Sequence, residues 1–354
     1  MEEIDGRSVV ERTISIDLDE KPINRWRDLP PDYGDDLLEL VGKLEEEYEW
    51  LLRADGLYPM LIRRLISGQY LSRLALLAFG VKMEEYGDEI AGLAKEVGLP
   101  LGKLLAANLT YELTQVASNW ANACTSFSSV IDGQPVLARA MDWATPPGLG
   151  RYTRFIDFYN GDRYRYTAIS FPGYVGVISA YSHQWAMTLN QAPQAEDYTL
   201  GDMPTTLRLR QVCDTKRKFA GMVKGIERYR TMTTALVHIV GTQPNERLAI
   251  EMHGDHTVCR PPSGQGRLAV ANHFVDSGSR HLNDPLEFEQ DGTTYYNDTQ
   301  DRYEQALAAS GGYSGIDLMV RALHTGPILN ELTEQTMLLC PSDVAKNRYW
   351  MKEA

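Results

Sequence analysis

With 354 residues, 43% hydrophobic and 23% charged, the chain has an ordinary globular composition, long enough for one large core or two modest ones and neither disordered nor fibrous. A formal net charge of −13 without any run of clustered Lys and Arg speaks against nucleic acid as a partner, so the acidity is read as a solubility feature. The acidic start Met1-Glu-Glu-Ile-Asp-Gly-Arg lacks the basic and apolar regions of a secretory signal. The longest apolar region, Leu57 to Val81, is broken by Arg63, Arg64 and Arg73, so a cytoplasmic chain without a membrane span is expected.

From Asp35 to about Gln115 the apolar spacing predicts helices: one opening at Asp35-Asp36-Leu-Leu-Glu-Leu-Val, one over Leu57 to Phe79, one over Glu89 to Val97, and a fourth beginning at Pro100. The Leu57 to Phe79 stripe would pack on a core, with contact to a membrane surface as the alternative. After residue 123 the texture changes to short apolar runs bounded by Gly, Pro, Asp and Asn. These predict strands at Phe127 to Ile131, Val136 to Met141, Tyr166 to Phe171, Val175 to Tyr181, Trp185 to Leu189, Thr234 to Val240, Arg247 to Met252 and Arg267 to Val270. Helices return at Thr205 to Phe219 and Gly315 to Leu323. The pattern is α+β with segregated strands, and it shows neither an internal repeat nor a low-complexity tract.

Cys124, Cys213, Cys259 and Cys340 are far apart and form no CxxC, so neither a disulfide scaffold nor a zinc site is indicated. His253 and His256 fall at a predicted turn rather than in a helical H-E-x-x-H, which leaves no metal and no cofactor to expect. The informative stretch begins at Cys124-Thr-Ser and runs through Asp132-Gly133 to Arg139 and Asp142. It reads as strand, two-residue turn, strand, and the hairpin would carry Arg139 and Asp142 back to Cys124. A guanidinium beside a thiol favours the thiolate, and a carboxylate can hold an amino group.

The pattern Cys-Thr-Ser followed by Arg-x-x-Asp resembles the start of the catalytic subunit in acid ceramidases and N-acylethanolamine acid amidases, relatives of the choloylglycine hydrolases among the N-terminal-nucleophile (Ntn) hydrolases. The similarity extends to Thr13-Ile-Ser-Ile-Asp-Leu-Asp with Arg25-Trp, to Glu89 through Glu112, to Phe171-Pro-Gly-Tyr-Val-Gly, to Thr188-Leu-Asn190, to Ala271-Asn272-His273 and to Pro327-Ile-Leu-Asn-Glu-Leu-Thr. The resemblance implies a four-layer αββα sandwich of two antiparallel sheets, preceded by a helical leader over residues 1–123 that stays associated with a catalytic domain over 124–354. It implies a precursor that cuts its own Ala123–Cys124 bond, after which the freed α-amine, of reference pKa roughly 7.7 to 8.0, serves as the general base of the Cys124 thiol. Arg139 would stabilise the thiolate, Asp142 would orient the amine, Asn190 and Asn272 would line the oxyanion hole, and Arg302 would match a second active-site arginine.

The expected activity is hydrolysis of a linear N-acyl amide, the acyl group fatty, through a Cys124 thioester. The rivals are an acyltransferase using the same acyl-enzyme and an unprocessed relative that only binds. Where the lysosomal amidases carry a glutamate that must be protonated, this chain has Gln191, which does not titrate. A strictly acidic optimum is therefore not expected.

Overall fold

The computed structural model describes residues 1–51, 83–117, 122–143, 148–192, 202–228, 230, 232–254, 256–286, 289–290, 293–311 and 315–353. The predicted helix over Leu57 to Phe79 lies outside the described residues. In chain order the leader contains β1 (Glu2–Glu3), α1 (Gly6–Glu11), β2 (Thr13–Asp17), α2 (Pro31–Leu51), α3 (Glu85–Glu96), α4 (Leu101–Asn108) and α5 (Thr110–Ala117). The body continues with β3 (Asn122–Ile131), β4 (Gln134–Trp143), β5 (Arg154–Asn160), β6 (Arg163–Ser170), β7 (Ser179–Tyr181) and β8 (Ala186–Asn190). Then come α6 (Thr205–Thr215), α7 (Phe219–Glu227), β9 (Ala235–Val240), β10 (Arg247–His253), β11 (His256–Arg260) and β12 (Leu268–Val270). A two-strand ribbon of β13 (Glu289–Gln290) and β14 (Thr293–Thr294) precedes α8 (Tyr295–Ala309), α9 (Ile316–Leu323), β15 (Thr333–Leu339) and β16 (Arg348–Met351).

Two sheets face each other. One has the order β1-β16-β15-β4-β3-β12, the other β11-β10-β9-β8-β7-β6-β5-β2. Alternation along β3 and β4 decides what each face buries. Leu137 points inward and meets Phe155 and Ile169 of the opposite sheet, whereas Phe127, Ala138 and Ala140 point outward to Ala306, Met319 and Leu323 of α8 and α9. The outer face of the eight-stranded sheet, including Phe158 and Tyr166, is covered by the leader helices and by α6 and α7 through Leu93, Leu104, Val212 and Met222. The result is four layers, αββα, as the resemblance implies. Among the described residues no helix is long and apolar enough to cross a membrane.

Three details differ from the sequence expectations. Residues 1–123 are not only helical: β1 pairs with β16, and β2 forms the edge of the eight-stranded sheet by pairing in parallel with β5, Thr13 opposite Phe155. The sheets are therefore antiparallel except at that edge, and the Ala123–Cys124 bond lies inside β3 rather than between elements. The helix expected over Thr205 to Phe219 is two, because Lys216 and Lys218 adopt extended backbone between α6 and α7. Of the run Val175 to Tyr181 only Ser179–Tyr181 joins a ladder. The preceding loop instead gives its backbone to the leader and to α6: Val175 N–H donates to Asn108 Oδ1 (2.7 Å) and Val177 N–H to Thr206 O (3.0 Å).

That loop is where leader and body interlock. Gly173 has φ +81°, and a Cβ there would stand 2.3 Å from Leu37 Cδ1 and 2.9 Å from Leu104 Cδ1, so glycine permits both the left-handed turn and the close approach of α2 and α4. Its N–H donates to Tyr33 Oη (3.0 Å), and its carbonyl accepts from Asn108 Nδ2 (2.8 Å).

Candidate active site

The β3–β4 hairpin closes through Asp132 (φ 51°) and Gly133 (φ 78°), the paired positive φ angles that a two-residue turn matched to strand twist requires. The turn fixes the register: Cys124 lies opposite Met141, Ala123 opposite Asp142, and Ser126 opposite Arg139. Alternation then puts Cys124, Ser126 and Arg139 on the inner face, between the sheets, and Ala123, Thr125 and Asp142 on the outer face toward α8. The hairpin brings the guanidinium and the carboxylate to the same cysteine, from opposite sides of the strand.

Arg139 is 1% exposed. Its Nη2 donates to Cys124 Sγ (3.2 Å) and to Leu189 O (3.1 Å), and its Nη1 donates to Ser179 Oγ (2.6 Å). Two of its three partners belong to the opposite sheet, so the cation is held in place independently of the thiol. Burial nevertheless pushes the Cys124 thiol above its usual value, and Asp142 pushes the same way, against the pull of Arg139 and Arg302. Burial thus favours the protonated thiol.

The backbone of Cys124 is as closely held as its side chain. Its N–H donates to Asn272 Oδ1 (2.9 Å), while its carbonyl accepts from Asn190 Nδ2 (3.2 Å) and Arg302 Nη1 (3.0 Å). Arg302 also donates to Thr125 Oγ1 (2.9 Å) and Asn272 Oδ1 (3.0 Å), which joins α8 to both β3 and the loop after β12. Asn272 completes its contacts with Nδ2 on Gln191 O (2.8 Å) and its own N–H on Thr299 Oγ1 (2.8 Å). Asn190 Nδ2 further reaches Val270 O (3.2 Å) and Ala271 O (3.1 Å). Both asparagines thus stand beside Cys124, with amide N–H groups engaged by backbone carbonyls.

Asp142 accepts from Thr333 Oγ1 (2.7 Å) through Oδ1, whereas its buried Oδ2 has no hydrogen-bond partner. Burial raises its pKa, opposed by the Arg302 charge. All six residues singled out from the sequence, together with Ala123 at 8% exposure, therefore converge at one end of β3.

Ser179 and Thr299 carry no pattern of their own and went unread, while Thr125 and Thr333 lie inside the stretches that carry the resemblance but were given no role. Glu112 on α5 closes the Glu89 to Glu112 stretch and was likewise given no role; it is fully buried, accepts from Thr205 N–H (2.7 Å) with Oε1, leaves Oε2 without a partner, and is pushed by burial to a pKa of about 8. Gln191 is 4% exposed, and neither its Oε1 nor its Nε2 has a hydrogen-bond partner. Cys213 and Cys340 are buried, Cys259 is half-buried, and no two cysteines are bonded. Among the described residues no group of three or more His, Cys, Asp or Glu side chains is placed to hold a metal ion.

An αββα sandwich with a cysteine near the start of a strand, facing the space between the sheets, has the architecture of the N-terminal-nucleophile hydrolases. The solved structure of a Caenorhabditis elegans N-acylethanolamine-hydrolyzing acid amidase ortholog superposes with a TM-score of 0.53, at 18% identity, over 65% of this chain and 99% of that one. In sequence the chain is 22% identical over 251 residues to the N-acylethanolamine-hydrolyzing acid amidase of C. elegans, covering 68% of this chain and 66% of the relative. It is 23% identical over 364 residues to the acid ceramidase of Heterocephalus glaber, covering 95% and 84%, and 22% identical to human acid ceramidase over the same shares. No family model matches the chain. The chain is thus similar, at modest identity, to acid ceramidases and N-acylethanolamine amidases.

Proposed function

We propose that the chain is a self-cleaving cysteine amidohydrolase acting on linear N-acyl amides, with Cys124 as nucleophile. One observation carries the reading: Arg139 holds the Cys124 sulfur and Asn272 holds the Cys124 nitrogen, so both atoms of a future aminothiol are positioned before any bond is cut. The amidase and ceramidase relatives support it.

In the first reaction Cys124 Sγ attacks the Ala123 carbonyl carbon. The C–N bond breaks as the nitrogen takes the thiol proton, and water then hydrolyses the Ala123 thioester to leave a carboxylate, a thiol and a free α-amine. In turnover that amine accepts the thiol proton, and the thiolate attacks the substrate carbonyl. The leaving amine departs with the proton, and water activated by the α-amine releases the acid from the thioester.

The buried, unpartnered Oδ2 of Asp142, across the strand pair from Ala123, is a ready acceptor for the α-ammonium. Asn190 and Asn272 act as oxyanion donors by exchanging a neutral backbone carbonyl for the charged oxygen, a stronger acceptor. The segment 1–123 remains bound after cleavage. Its Asn108, Tyr33 and Leu37 enclose the Gly173 loop.

Incubation with a fatty N-acylethanolamide and with a ceramide tests the substrate class. We expect fatty acid release by the parent and none by Cys124→Ala. Equal release by the two proteins would remove Cys124 from the chemistry.

A further inference from the structure

Behind Cys124 the space between the sheets is polar where a sandwich is ordinarily apolar. Ser126 and Ser128 follow Cys124 at alternate positions on the inner face of β3, and both meet one side chain of the opposite sheet. His238 on β9 is fully buried, with Nδ1 3.1 Å from Ser126 Oγ and Nε2 2.9 Å from Ser128 Oγ. Burial, with Arg260 and Arg247 adding to it, lowers the ring's pKa to about 3, so the imidazole is neutral and can donate at one nitrogen and accept at the other. The reaction outlined above uses none of these three residues.

The bridge is placed to act on the nucleophile. Ser126 is the cross-strand partner of Arg139, whose guanidinium touches the Cys124 sulfur, and it lies two residues from Cys124 on the same face. Ser128 lies two residues further from the site, and its carbonyl is held separately by Arg247 Nη1 (3.1 Å). We propose that His238 is a positioning residue: it ties the β3 strand to β9 through Ser126, and so sets the distance of Cys124 from Arg139, Asn190 and the carbonyl it attacks. The proposal rests on the reading of Cys124 as the nucleophile.

A misplacement of about 1 Å can cost a reaction on the order of 100-fold, so the effect should appear in rate beyond what lost stability explains. The test measures self-cleavage rate, peptide-resolved alkylation of Cys124 by iodoacetamide and urea stability in four variants. Ser126→Ala should slow cleavage and alkylation about ten-fold or more. Ser128→Ala should leave both within about two-fold while losing similar stability. His238→Asn, whose amide reaches the Nδ1 position, should retain more Cys124 reactivity than His238→Gln, whose amide reaches the Nε2 position. Equal effects of the two serine variants, no effect of either, or the reverse order of Asn and Gln would overturn the proposal. The serine pair keeps the test open if a His238 variant fails to fold. Persistence of cleavage in Cys124→Ala would sink the functional reading, whereas the alkylation comparison reports on His238 separately.

Discussion

Burial and charge oppose each other at the Cys124 sulfur, and burial prevails, so with Cys124 as the proposed nucleophile the reaction needs a base that is itself unprotonated. An α-amine has a reference pKa of roughly 7.7 to 8.0, and protonation below that range removes the base. The rate should therefore rise with pH through neutrality, and Gln191 imposes no acidic requirement. A kcat/KM profile confined to about pH 4 to 5 would contradict this. Glu112 gives a second pH prediction, of opposite sense and on stability. Its folded pKa of about 8 lies above the ordinary carboxylate value, so the folded state binds more protons than the unfolded chain between those two values. Its contribution thus falls as pH rises through that window and is constant above it. Glu112→Gln, a permanently neutral mimic, should be more stable than the parent above pH 8 and show a flatter dependence, measured by urea unfolding across pH.

At the scale of elements, the hairpin was the most legible part of the sequence, because Asp132-Gly133 admits few turns and a two-residue loop fixes which residues face each other. Cys124, Arg139 and Asp142 could be grouped on that basis. That Asp142 lies on the outer face also follows from the two-residue period, once register is known. Arg302 is different: its helix α8 begins Tyr-Tyr-Asn-Asp-Thr-Gln-Asp, a polar run without a clear apolar stripe, so the element was not predicted even though the residue was matched by resemblance. The parallel edge β2 went unread because its partner β5 is distant in sequence, whereas β15 and β16 pair with each other across residues 340–347 and are joined to the sheet by the distant β4 and β1. The serines inside β3 were readable as inward-facing polar residues, but their partner His238 is 112 and 110 positions away.

Elements of leader and body are also joined by a buried ion cluster. Glu89 of α3, with no exposure, accepts from Trp26 Nε1 (2.9 Å), from Arg25, and from Arg210 Nη2 of α6 at 3.4 Å. Arg210 in turn pairs with Asp214 (2.9 Å) and stacks over the Phe158 ring at 4.0 Å. Arg210→Met would leave Asp214 without its cation and Glu89 with Arg25 alone, and a loss of about 3 to 5 kcal/mol is expected by denaturant unfolding. A loss below about 1 kcal/mol would show that the cluster is not coupled to folding.

For the molecule as a whole, the leader is woven into both sheets through β1 and β2, pinned at Gly173 and tied by the Glu89 cluster. The contacts at Gly173 and Glu89 are buried, and salt screens buried pairs much less than exposed ones. After cleavage the two pieces should therefore co-elute on size exclusion even in about 1 M salt, and separate only when the body unfolds. Elution of free leader under native conditions would contradict retention. On the proposed reading β3 is cut between Ala123 and Cys124. Intact-mass spectrometry of the purified chain tests it most directly. Two fragments, one ending at Ala123 and one beginning at Cys124, are expected in the parent, and a single uncut chain in Cys124→Ala. A parent chain that stays whole under every pH and incubation time, or a cut at any other bond, would contradict it.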